Sequence, residues 1–270
     1  MVSVPGSSVP AVETTAQPTR ASRFYFWLAS VCALIIFAGF TPTYWLQLPA
    51  GTFEGPRLLH VHGIVFSLWP LFLLGQTHLV STGRIAAHRS LGLFGISLAT
   101  AMFLIGIAAA TQTVALAIGT PTEEPFRAVS VLAFSSMVLF AGFVTAAIAN
   151  IKRPETHKRL MLLATVSILQ AAVARIFFTI FAGYGPGYRP GRAFELGFGT
   201  PSPAAATVAG LLIDLVIVAM IVHDLRVRGR VHRATAIGGL VILSVQLLRF
   251  PLTTTPAWRT FTDFMVAFTS

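Results

Sequence analysis

Seven apolar runs constrain this chain more than any other feature of its sequence. They fall near 24–46, 58–81, 90–115, 127–149, 158–182, 204–225 and 234–250, each roughly 17–26 residues long. At about 1.5 Å per helical residue, each can cross an apolar core of about 30 Å. In such a slab only helices and closed barrels satisfy their own backbone polar groups. The expectation is an all-α, polytopic membrane helix bundle with seven transmembrane helices, an anchor helix followed by three helical hairpins. Composition agrees. Of 270 residues 55% are hydrophobic and 10% charged, whereas soluble domains carry about 25% charged residues.

The flanking segments divide the chain into three. Residues 1–22, rich in Ser, Thr, Pro and Ala, read as a disordered cytoplasmic tail. The seven-span domain occupies 23–250, and 251–270 is an external amphipathic tail carrying Trp258, Phe261, Phe264, Met265 and Phe268. The first run follows Arg20 and Arg23, is too long for a signal-peptide core and lacks a small-residue cleavage site, so it reads as a retained anchor. The Gly- and Pro-rich loop 183–203 is expected to fold onto the outer surface, as a lid, a docking site or a plain structured loop.

A short pattern recurs between the runs. Arg84-x3-His88-Arg89, Arg153-x3-His157-Lys158 and Arg228-x3-His232-Arg233 stand 69 and 75 residues apart, about one hairpin each. Together with the N-terminus these loops hold twelve Lys and Arg residues. The opposite side holds five, Arg57, Arg127, Arg189, Arg192 and Arg259, balanced by Glu54, Glu123, Glu124, Glu195 and Asp263. Positive-inside sorting then makes the N-terminus cytoplasmic and the C-terminus external in a bacterial inner membrane. The same sorting explains the net charge of +10 without nucleic acid, for which no motif exists.

Ionisable groups inside spans are costly and face protein or water. Asp214 lies near the middle of the sixth run, while Arg175 and Arg249 lie in the outer parts of the fifth and seventh. His62 and Gln246 lie at mid or outer depths, so these five residues form the expected ligand-binding set. An Asp214–Arg175 ion pair is expected, either as a structural lock or as part of a site for a small anion, a quinone-like molecule or a proton. His62, Trp69 and Gln76 share a helical face, and Gly63 would admit a close neighbour or cofactor. His78, His88, His157 and His223 lie toward the inner surface on different helices, as ligands of a b-type haem or a transition metal would. By depth, His78 and His223 make the most credible axial pair. No two histidines have paired spacing on one helix. The bland alternative, interfacial histidines touching lipid phosphates, stays open.

The stretch His60 to Gly92, with His62-Gly63, Trp69, Gln76, Gly83-Arg84 and His88-Arg89-x-Leu91-Gly92, resembles uncharacterised bacterial multi-span membrane proteins. The run His157-Lys158-Arg159-Leu160-Met161 is similar to a helix start in small membrane proteins linked to haem–copper oxidase assembly. These resemblances imply a respiratory-membrane context related to haem or metal.

Several classes are excluded. The single cysteine, Cys32, rules out an internal disulfide and a Cys-based zinc or iron–sulfur site. No P-loop, dinucleotide fingerprint, Gly-x-Ser-x-Gly elbow or HExxH occurs. Three functions remain: a haem- or metal-associated redox or respiratory-assembly protein, a small-molecule or proton-coupled transporter, and a non-catalytic structural subunit. Expected partners are the lipid bilayer and other membrane subunits or further copies of the chain.

Overall fold

The computed structural model describes residues 20–53, 55–182 and 203–269, and these form eight α-helices without a strand. The helices are α1 (Arg20–Phe40), α2 (Arg57–Ser81), α3 (Ile85–Ala117), α4 (Glu123–Ala149), α5 (Pro154–Ala182), α6 (Pro203–Arg228), α7 (Arg233–Thr253) and α8 (Pro256–Thr269). The first seven are long and apolar enough to cross a membrane, the architecture of a multi-pass membrane protein. Almost all of the expected N-terminal tail, and the 183–203 loop but for its last residue, lie outside the described residues.

Helix ends follow from local chemistry. Gly83 and Gly229, at φ of 77° and 67°, take the left-handed conformation just after α2 and α6, where other residues are strained. Pro154 opens α5, where a missing N–H costs nothing. Turns 82–84, 150–153 and 229–232 gather the Arg-x3-His motifs at one end of the bundle, hereafter the basic end.

Helix α5 is the axis of the core. It is buried around its whole circumference over 162–167, and Leu162, Leu163, Ala164, Val166, Leu169 and Ala172 are all buried. Small residues set its spacing from α1. A methyl group on Gly39 would overlap the Ala172 carbonyl, so the two backbones touch there. From α2, the fully buried Trp69 donates its Nε1–H to Thr165 Oγ1 of α5 at 3.0 Å and meets Phe140 of α4 edge to face. Gln76 on the same face is also buried.

After α1 a single π-helical turn, Thr41–Trp45, folds Tyr44 back against α2. The space beside Gly63 is taken by the Tyr44 ring, 2.6 Å from where a Cβ would stand. Tyr44 Oη donates to the His60 carbonyl at 3.3 Å.

At the opposite end α8 is fastened by polar contacts. Trp258 Nε1 donates to the Arg127 carbonyl (2.8 Å), and the buried Arg127 guanidinium donates to Thr262 (2.6 Å), Asp263 (2.6 Å) and Glu123 (3.0 Å). Phe264 and Phe268 stay exposed on the other face of α8. The C-terminal segment is therefore an amphipathic helix clamped to α4, and α7 runs three residues past its expected end, through Pro251.

Candidate functional site

The structure divides the sequence-derived residues into three groups. The first lies on α6 and α7, with Asp214 and Gln246 half-buried and Arg249 buried. Asp214 Oδ1 accepts from Gln246 Nε2 at 3.1 Å, and Gly210, one turn away, leaves room for the Gln246 amide. Arg249, one helical turn beyond Gln246, is within electrostatic range of Asp214. Arg249 is only 5% exposed, and its Nε and Nη2 have no hydrogen-bond partner among the described residues. Its guanidinium carbon lies 5.2 Å from the Phe250 ring. A buried guanidinium carries five donors in a fixed fork, and leaving them unsatisfied is costly.

This corrects the expected Asp214–Arg175 ion pair. Asp214 takes its hydrogen bond from Gln246 on the neighbouring helix α7. Arg175 instead stands 4.8 Å over the Phe40 ring of α1 and faces His62 within electrostatic range. The His62 ring stacks on Phe66 at 3.9 Å, and its Nδ1 is buried without a partner among the described residues. The five expected ligand-binding residues thus form two groups, Asp214–Gln246–Arg249 and His62–Arg175.

The histidines at the basic end also separate. His223 stacks face to face on Phe24 at 3.8 Å, whereas His78 lies 6.0 Å from Phe26. Phe24 and Phe26 project about 200° apart on one helix. Hence α1 stands between His78 and His223, and the pair matched by depth does not meet in space. His88 and His157 do approach, with ring centroids 6.3 Å apart. His157 Nδ1–H donates to the Ala147 carbonyl at 2.9 Å, which leaves Nε2 of a neutral ring with its lone pair. His88 Nδ1 is buried without a partner among the described residues. No group of three or more His, Cys, Asp or Glu residues able to hold a metal occurs among the described residues.

A further network was not foreseen from the sequence. Arg159, 1% exposed, pairs with the fully buried Asp224, and Asp224 Oδ2 also accepts from the His232 amide (3.1 Å) and Thr235 Oγ1 (2.9 Å). Glu155 collects Lys158 (2.5 Å), Arg159 (2.7 Å) and Arg228 (2.8 Å). Lys158 and Arg159 also stand 4.6 and 5.4 Å from the Tyr25 ring centroid. Every oxygen of Asp224 is engaged, so this network binds α1, α5, α6 and α7 together and offers no open valence to a ligand. One signal for it exists in the sequence. Glu155 and Asp224 are the only acids between the spans and at the span ends on the basic side, amid its many cations.

Neither a protein-family model, nor a curated protein, nor a solved structure matches this chain.

Proposed function

We propose that this chain is a transporter of a small anion or a proton in the bacterial cytoplasmic membrane, with its site at Asp214, Gln246 and Arg249. In this reading the N-terminus and the basic end are cytoplasmic and the C-terminus is external, as the asymmetry of Lys and Arg favours. The observation that supports the reading is the buried Arg249, whose Nε and Nη2 have no hydrogen-bond partner among the described residues and which is within electrostatic range of a carboxylate already engaged by Gln246. Such a fork matches a carboxylate or phosphate oxygen pair. Asp214 supplies an opposing charge that changes with protonation, so anion occupancy and proton uptake at the site would be linked. His62 and Arg175 form a second polar group on α2 and α5.

The experiment is flux into vesicles reconstituted with the purified protein, using a pH-sensitive dye and a panel of small carboxylates and phosphate. Arg249→Gln should lower anion uptake at least tenfold, and Asp214→Asn should remove its pH dependence. Equal flux in the parent and both variants would sink the proposal.

One observation favours the alternative of a haem- or metal-associated protein. The backbone carbonyl on His157 Nδ1 orients the ring as ligating histidines are oriented, with His88 beside it. Two ligands on α3 and α5 would suit a transition metal completed by water or a partner subunit. A Soret band, or metal co-purifying in the parent and lost in His157→Ala, would move the function to this pair; a colourless, metal-free protein would end that alternative.

A further inference from the structure

We infer that the chain carries a binding site for an anionic phospholipid in the groove between α4 and α7 at the basic end. The groove holds about 770 Å³. Its mouth is lined by Arg153, Arg228, Arg230 and Arg233. Arg228 is committed to Glu155, whereas Arg153, Arg230 and Arg233 are exposed and make no ion pair among the described residues. Three cations with no acid of their own therefore ring one opening.

Below the mouth the groove is apolar. Leu139, Phe143 and Ala146 of α4 form one wall, Ile237 and Val241 of α7 the other, and Leu160 of α5 the floor. From Arg233 to Val241 is eight residues and from Ala149 to Val138 eleven, or roughly 12–16 Å of helix. That depth is about half of a 30 Å apolar core, the thickness of one leaflet. The rims, Val138 and Ile237, are each 62% exposed, so the groove opens sideways onto apolar surface and not into a closed cavity.

Cations at headgroup depth above an apolar trough one leaflet deep match one kind of molecule. The phosphate diester of an anionic phospholipid would sit among the arginines, and one acyl chain would lie along the trough. A free phosphate would use the mouth and leave the trough empty. Gly142 lies on the α4 wall, where an added Cβ meets no protein atom within 4 Å, so a side chain introduced there starts in open space.

The test is binding of fluorescent phosphatidylglycerol, against phosphatidylcholine, to the purified full-length chain in neutral detergent. Arg153→Gln, Arg230→Gln and Arg233→Gln combined should weaken phosphatidylglycerol roughly 100-fold, which at about 1 kcal/mol per cation is about 3 kcal/mol. The corresponding triple lysine variant should retain most of the affinity, which separates lost charge from lost fold. Gly142→Leu, with every arginine present, should weaken the lipid at least tenfold. Millimolar glycerophosphate should not displace it. Equal binding of both lipids, unchanged binding in the glutamine variant or in Gly142→Leu, or displacement by glycerophosphate would each overturn the inference.

Discussion

At the scale of single residues, the chain holds two buried arginines with opposite fates. Arg159 has a partner for nearly every donor, and Asp224 is saturated by Arg159, Thr235 and the His232 amide. Arg249 has two nitrogens, Nε and Nη2, with no hydrogen-bond partner among the described residues. Removing one member of a buried pair strands a charge, whereas replacing both with apolar groups removes the desolvation cost as well. Asp224→Asn should therefore destabilise the fold by about 3 kcal/mol, while Arg159→Met with Asp224→Leu should recover most of the loss. Thermal unfolding in detergent measures both; a double variant as unstable as Asp224→Asn would refute the pairing argument. His232 gives a second prediction. Its Nδ1 accepts from the Ala234 amide at 3.1 Å and so caps α7, which only the neutral ring can do. Burial, then Arg159 and Arg228, hold this imidazole below its ordinary range. The folded state thus binds fewer protons here than the unfolded one. The cap's contribution is full above the unfolded value of about 6.5 and fades as pH falls through the lower folded value. His232→Asn should keep the cap and flatten that acid-side loss; an unaltered pH profile would contradict it.

At the scale of helices, close packing was partly legible. Apolar run length located all seven spans, because the cost of burying backbone in lipid leaves helices little freedom over length. The face shared by Trp69 and Gln76 was also readable, since period 3.6 carries both inward. The threefold motif was legible as charge but not as geometry. The His88 and His157 amides each donate to the carbonyl four residues back, of Arg84 and Arg153, in the first turns of α3 and α5. His232 instead stands just before α7, because Arg228 still belongs to α6 and Gly229 turns the chain after it. The third copy is thus displaced by about a turn relative to its helix. Which helix lies beside which was not readable, and that alone decides that Asp214 meets Gln246 and Arg159 meets Asp224. The α1–α5 contact offers a test at this scale. Gly39→Leu should separate the helices and cost about 1–3 kcal/mol or more, whereas Gly75→Ala, which faces open space, should not. Equal thermal stability of Gly39→Leu and the parent would refute the close approach.

At the scale of the whole molecule, polar chemistry concentrates at three levels. The basic end is locked by Glu155 and Asp224, the opposite end by the Arg127–α8 clamp, and Arg249, in the last turns of α7, has Nε and Nη2 without a hydrogen-bond partner among the described residues. The proposed orientation is open to labelling, because the one native thiol, Cys32, is fully buried. Arg259→Cys should react with an impermeant maleimide in intact spheroplasts and Arg230→Cys only after lysis; the reverse pattern would invert the protein.

The central proposal is that Arg249 binds a small anion. Its most direct test is the melting temperature of the purified protein titrated with small carboxylates and with phosphate, in parent and Arg249→Gln. A ligand that binds only the folded state stabilises it by about 2.7 kcal/mol at a hundred times its dissociation constant. At least one such anion should raise the parent's melting temperature with concentration, and Arg249→Gln should abolish the rise. A parent indifferent to every anion, or a variant that responds equally, would contradict it.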